Sequence, residues 1–448
     1  MRKLSFKKGL LPRDGLGFSG GRSFSQERIL ELFTPKEIVV PMLQHIGTPA
    51  APCVTPGSTV EIGSIIGKPT SHISAPVHAG ISGIVTAIET IRLPNGAECA
   101  AVRIQNDLKR RTVPSIQRRA NPEKLYVKDL KKLLLYSGIV GMGGDGYPAA
   151  AKCRRAEAHG VHTLYVNGLQ CEPYLTSDVH ILREHPDRVV QGAMALCAIC
   201  KAQKVVICIE DKWKQEIDIM ETLIERLRPE YQDRELSMTV FKSRFPQGYD
   251  KLLIKAVCGI ELAENELIEE RAGAVVFNAS TCAAFWEMAE RNQPSCSRII
   301  TIAGDLGSDH NVLVPIGTTV SELLEHTPGR GTCKRIVVGG ALTGAAITDL
   351  NTPIMKTTPG LTMIKMENPH HTSCIHCGSC VEACPVGLLP YMLNRLIELS
   401  DSESLVRENI DKCISCGACS YVCPAGAELS ARIVRAAHKI RTGRSDTP

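Results

Sequence analysis

Between Val54 and Glu89 the hydrophobic positions come in short β-branched stretches, cut every few residues by Pro56-Gly57, Gly63, Gly67, Pro69, Gly80 and Gly83. Turn signals at that rhythm predict a compact all-β barrel or sandwich, in a first domain spanning residues 1–108. From residue 124 the period changes. Residues 127–136 and 214–227 repeat their apolar side chains at helical spacing, whereas 163–166 and 204–209 are short apolar runs of the kind buried strands use. Alternating segments of this sort predict α/β layers over residues 124–296. Strands at 298–305, 311–318 and 335–340 around a short helix at 320–324 then predict a small α+β module over 297–366. Residues 388–407 look like a helix-rich insertion within a last domain, 367–448. The expected fold class is multidomain α/β and α+β.

Length and composition agree with that division. A chain of 448 residues exceeds one ordinary core, and 44% hydrophobic with 22% charged residues is the make-up of a globular protein. No apolar run approaches the roughly 18 residues that cross a bilayer. The net charge of +5 is spread along the chain, and basic stretches such as Lys109-Arg110-Arg111 read as solvated surface, so no nucleic-acid partner is expected.

The strongest chemical signal lies near the end. Cys374-Ile-His-Cys377-Gly-Ser-Cys380-Val-Glu-Ala-Cys384-Pro and Cys413-Ile-Ser-Cys416-Gly-Ala-Cys419-Ser-Tyr-Val-Cys423-Pro each repeat C-x2-C-x2-C-x3-C-P. That run belongs to bacterial two-cluster ferredoxins, in which three close thiolates hold one cubane and the fourth reaches the other cluster. Cys374, Cys377, Cys380 and Cys423 are therefore assigned to one [4Fe-4S] cluster, and Cys413, Cys416, Cys419 and Cys384 to the second. A zinc site wants paired C-x2-C units and four ligands, and a disulfide framework suits a short secreted chain; neither fits. With no charged-then-apolar leader, the expected compartment is the reducing cytoplasm. Single cysteines such as Cys53, Cys99, Cys208 and Cys258 have apolar neighbours and are expected to pack as small buried hydrophobes.

A second signal is Gly138-Ile-Val-Gly141-Met-Gly143-Gly144-Asp145-Gly146-Tyr147-Pro148, followed by a helical stretch carrying Lys152. Glycines at this density let backbone N–H groups cradle an anion, and the next helix adds its positive end. A tight surface turn would use the same residues, so both readings stand. The dinucleotide fingerprint is excluded, because it needs a strand before the loop and another glycine spacing.

Taken with Gln44-His-Ile-Gly-Thr-Pro, Ser74-Ala-Pro-Val-His, Val166-Asn-Gly-Leu-Gln-Cys-Glu-Pro-Tyr-Leu-Thr-Ser-Asp, Phe245-Pro-Gln-Gly and Val314-Pro-Ile-Gly-Thr, these motifs resemble the C subunit of the Rnf-type ion-translocating ferredoxin:NAD oxidoreductase. Its central domain is similar to the flavin-binding NADH subunit of respiratory complex I. A soluble cobalamin-reductase family uses similar parts in another order and ranks second. The stretch from Ala75 to Val85 resembles half of a biotinyl/lipoyl-type hybrid barrel without a modified-lysine hairpin, and the module after Ser297 resembles a soluble-ligand-binding β-grasp domain.

The resemblance implies noncovalent FMN and an NAD(H) substrate site in the central domain. It implies a cofactor-binding set of Gly141, Gly143, Gly144, Gly146, Lys152, Asn167, Glu172, Asn278 and Thr281, and no catalytic residue is named. It also implies an oxidoreductase subunit of a translocase, peripheral on the cytoplasmic face of the plasma membrane, with other Rnf-type subunits and a ferredoxin-like carrier as partners. Asp145 stands where the family usually has Ala, Gln170 where it has Glu, and Tyr249-Asp250 where it has Gly-Glu. These departures leave two readings: an NADH-linked subunit, or an electron-transfer docking subunit without NAD chemistry.

Overall fold

Seven strand segments between residues 37 and 106 close the first unit. Glu37–Pro41, Glu98–Asn106, Gly83–Arg92 and Thr59–Val60 form one sheet in that order, and Ala51–Pro52, Ile65–Lys68 and Val77–His78 form the other. Their inner faces bury Ile38, Val40, Met42, Ile66, Val77, Val85, Val102 and Ile104 in one apolar cluster. The computed structural model describes residues 3–11, 30–31, 34–169, 172–263, 266–304, 309–327, 335–364 and 372–442, so Gln170 lies outside the described residues.

The central unit is a parallel sheet in the order Glu235–Phe241, Lys204–Glu210, Thr163–Asn167, Ala274–Asn278. Each expected strand runs one residue further than its apolar stretch, to Asn167 and Glu210. On one face pack Pro186–Cys200 and Ala279–Arg291 with Val127–Tyr136 and Lys214–Leu227, the two helices expected from periodicity. Asp250–Cys258 covers the other face against Tyr165, Val206 and Phe241. The first strand in sequence lies between the second and the fourth, so the winding reverses between Thr163–Asn167 and Ala274–Asn278. A crevice opens beyond the carboxyl ends at such a switch point, which is where ligands of open α/β sheets sit.

The third unit is a mixed sheet ordered Leu30–Glu31, His310–Pro315, Ser297–Gly304, Gly360–Ile364, Arg335–Val338, Ala345–Ile347, with the short helix Val320–Glu325 packed into its core. Two segments from the start of the chain leave the barrel. Leu30–Glu31 joins this sheet, while Leu4 and Leu10 bridge to Phe241 and Phe245 of the central unit. Pairings of one or two residues leave no periodicity to read.

The last unit is helical. Pro390–Glu398 and Ser402–Arg407 form the insertion between the cysteine runs, and Leu429–Thr442 packs its Leu429, Ile433 and Ala437 into a core with Leu388, Leu393, Leu405 and Ile410. Of the single cysteines, Cys99 and Cys208 are buried, but Cys53 and Cys258 are exposed. The expectation fails for these two because apolar neighbours in sequence mean little just past a two-residue strand, for Cys53, or at the last turn of a helix, for Cys258.

Three units meet at Lys356, a fully buried lysine that no sequence pattern marks. Its Nζ donates to the carbonyls of Pro76, at 2.9 Å, and Gly138, at 2.6 Å, and its own N–H donates to Gln44 Oε1 at 2.9 Å. Arg298 donates to the Lys356 carbonyl and, at 3.2 Å, to that of Met142. Burial drives the Lys356 ammonium down to about 7. Barrel, glycine loop and third sheet are thereby held in one register.

Candidate functional site

Asn167 and Asn278 end the two strands that flank the switch point and are register partners. Asn278 is the N-cap of Ala279–Arg291: its Oδ1 accepts from the Ser280 N–H at 2.9 Å, while its Nδ2 donates to Asp178 at 2.8 Å. Thr281, one turn into that helix, accepts the Met142 N–H at 3.0 Å and so fastens the glycine loop across the crevice. Asn167 donates to the Gly248 carbonyl at 2.7 Å and to Asp250 at 3.1 Å.

The loop folds on itself. Gly141 N–H donates to the Tyr147 carbonyl at 2.9 Å and Gly146 N–H to the Gly141 carbonyl at 3.1 Å. The N–H groups of Gly143, Gly144 and Asp145 have no acceptor among the described residues. Three consecutive free amides in the loop before the helix Ala149–Ala158 are a donor set of the kind that can cradle an anion. Lys152, on that helix and 8% exposed, stands 3.3 Å from Asp145 and 3.7 Å from Asp250. Burial alone would lower its pKa, but the Asp145, Asp250 and Glu269 carboxylates outweigh that and raise it. The amine is firmly cationic.

Glu172 enters from the opposite wall, where Thr343 Oγ1 and, at 3.1 Å, the Leu342 N–H donate to its carboxylate. Burial pushes it up to about 7, against those donors, so it carries a proton for part of the time at neutral pH. The cleft, open to solvent on one side, measures about 840 Å³ and is lined by Gly141, Gly143, Gly144, Lys152, Asn167, Glu172, Asn278 and Thr281 among others. Gly146 is not on that lining; it lies behind the loop, its carbonyl accepting from Ile46 N–H at 2.9 Å. Asp178, Asp250, Tyr249 and Glu269 also face the cleft, and none of them had been given a binding role from sequence. Asp178 was legible only as part of the Thr-Ser-Asp stretch; partly buried, with its pKa raised by desolvation, it orients Asn278 and Ser280.

The free amides, the buried lysine and the cleft volume fit the phosphate end and ring of a flavin mononucleotide. The two carboxylates beside Lys152 oppose the phosphate without closing the cleft.

The two cysteine runs fold alike. His376 and Ser415 have φ of 55° and 58°, and Gly378 and Gly417 follow at 80° and 76°, so each Cys-x2-Cys loop curls round a centre in the same way. A Cβ at Gly417 would lie 2.7 Å from the Leu342 carbonyl, so the second run sits directly on the turn that holds Glu172. Burial pushes Cys416 up to about 12, with Cys419, Cys384 and Cys413 as its thiol neighbours. Cys419 is raised in the same way, with Cys413 and Cys384 beside it, and Cys380 has Cys423 and Cys374 as neighbours. Thiols crowded and desolvated like this lose their protons only to a cationic centre, as iron supplies. Among the described residues no three His, Cys, Asp or Glu stand close enough for a single metal ion. The thiolates of a cubane bind separate irons and stand wider apart than that.

Fold and site together define an iron–sulfur flavoprotein class, in which an FMN-binding α/β domain is joined to a dicluster ferredoxin domain. Residues 135–287 match the Nuo51 FMN-binding domain, 4–109 the RnfC barrel sandwich hybrid domain and 373–427 the 4Fe-4S dicluster domain. A Clostridium ljungdahlii protein, the C subunit of a proton-translocating ferredoxin:NAD(+) oxidoreductase complex, is 33% identical over 88% of this chain and 84% of its own. The Na(+)-translocating counterpart of Acetobacterium woodii is 32% identical over 80% of each. The chain belongs to this family of ion-translocating oxidoreductase C subunits. The crystal structure of an NAD+-reducing [NiFe]-hydrogenase in the H2-reduced state shares the fold, with a TM-score of 0.52 at 16% identity over 72% of this chain and 68% of that one.

Proposed function

We propose that this chain is the subunit through which a membrane-bound, ion-translocating ferredoxin:NAD oxidoreductase exchanges electrons with NAD(H). The observation that carries the reading is that Ile414, Ser415 and Cys416 of the second cysteine run line the same cleft as the glycine loop. A group in that cleft is within reach of the second cluster. FMN, when bound, takes up a hydride and gives electrons up singly.

The chain's own residues do the rest. The amides of residues 143–145 and Lys152 hold the phosphate. Asn167, Asn278 and Thr281, fixed by the strand ends and the helix cap, orient the polar edges of the ligand, while Glu172 holds or releases a proton at the far wall. Cys413, Cys416, Cys419 and Cys384 seat the cluster nearest the cleft. Cys374, Cys377, Cys380 and Cys423 seat the outer one, whose Cys374 and Cys377 are exposed toward partners, other subunits of the complex or a ferredoxin-like carrier.

A second reading, a docking subunit without NAD chemistry, is favoured by the two carboxylates on Lys152 and by Tyr249 on the cleft lining. Anaerobic addition of NADH to the purified, flavin-loaded chain separates the two. Loss of the flavin absorbance is the expected result, and an unchanged spectrum selects the docking reading.

Among the described residues no helix is long and apolar enough to cross a membrane. We place the subunit peripherally on the cytoplasmic face, held by its partners. High salt or a mild chaotrope is expected to release it from native membranes, and retention through carbonate extraction would contradict this placement.

A further inference from the structure

Asp145 occupies an unusual place in the glycine loop. A Cβ on Gly141 would lie 1.4 Å from Asp145 Oδ1, so the carboxylate is folded back against the Gly141 end of the loop. There it accepts the Tyr147 N–H at 3.4 Å and pairs with Lys152 at 3.3 Å. The Asp145 side chain is 40% exposed, so it can turn outward to water, leaving the buried Lys152 to Asp250 and to an incoming anion.

The charges around it are unbalanced. The cleft wall carries the cations Lys152, Arg155 and Lys251 against Asp145, Glu172, Asp178, Asp250, Glu266 and Glu269, and Arg155 is engaged by Glu269 at 2.7 Å. A phosphate entering this cleft meets more carboxylates than cations, and neutralising Asp145 lowers that excess by one.

We propose that Asp145 is a built-in competitor for phosphate: its carboxylate holds the Lys152 ammonium that a ligand's phosphate would use, so the cleft discriminates weakly between FMN and a flavin without phosphate. The inference rests on the flavin reading of the cleft. Binding FMN requires Asp145 to swing out, whereas riboflavin leaves the Asp145–Lys152 pair intact. Asp145 is thus a specificity-determining residue, and its influence is electrostatic and screened by salt.

The test titrates FMN and riboflavin into the flavin-stripped full chain, as wild type, Asp145→Asn and Asp145→Ala. Losing the competition is expected to tighten FMN about tenfold in both variants, equivalent to about 1.4 kcal/mol. Riboflavin affinity should stay within about twofold, and the FMN gain should shrink as salt is raised past the point where the Debye length falls to about 3 Å. Unchanged FMN affinity with normal flavin binding overturns the proposal and leaves the cleft assignment standing. Equal tightening of both flavins also overturns it, since the effect is then not on phosphate. If neither flavin binds any of the three proteins, the flavin reading falls first and the proposal with it.

Discussion

Changing Cys423 to serine is expected to destroy the cluster of Cys374, Cys377 and Cys380, far away in sequence, and to spare that of its neighbours Cys413, Cys416 and Cys419. In each run the fourth cysteine follows a short helical turn, Ser379–Ala383 or Ala418–Tyr421, which carries it away from its own loop. The thiol neighbours are crossed accordingly, Cys423 beside Cys380 and Cys384 beside Cys416 and Cys419. Anaerobically prepared wild type should carry about eight iron atoms and Cys423→Ser about four, the arithmetic of one lost cubane. Electron paramagnetic resonance should show the surviving signal unchanged, and Cys384→Ser should remove the other signal. Loss confined to the Cys413–Cys416–Cys419 site in Cys423→Ser would disprove crossed ligation.

The second large effect is expected from Lys152→Ala. A charge-assisted contact to phosphate contributes about 1.5–3 kcal/mol, so FMN affinity should fall roughly tenfold or more. Removing the ammonium also strips Asp145 and Asp250 of their shared counter-charge, which adds repulsion to the lost attraction. Lys152 further lies 5.3 Å over the Phe277 ring, so Lys152→Met, which keeps most of the packing, is the companion variant. Both should bind riboflavin nearly as well as wild type does. Unchanged FMN affinity in both would move the phosphate away from this helix.

Much of the architecture was open to a reader of the sequence, because it rests on local rules. Helical periodicity marked Val127–Tyr136 and Lys214–Leu227, and apolar runs marked 163–166 and 204–209, each one residue short of its strand. These patterns work because a helix or strand buries one face whatever its partner is. The cysteine spacing was more specific still, since the close ligands of a cubane come from one short loop. The glycine loop was visible as a loop with two readings, and its ligand entered through resemblance.

What only the tertiary structure decided is how distant segments share one place. The switch point that sets Asn167 beside Asn278 depends on strand order, and parallel pairing leaves no mark in either strand. The contact of the second cysteine run with the cleft passes through Leu342 and Gly417, and the register of the glycine loop passes through Lys356 and Arg298, charged residues buried only because three units meet around them. Sequence put Asp145 in the loop, but its inward turn onto Lys152 is a rotamer and an ion pair. Such long-range choices come from packing and electrostatics summed over the whole fold, while periodicity and spacing carry information only over a few residues.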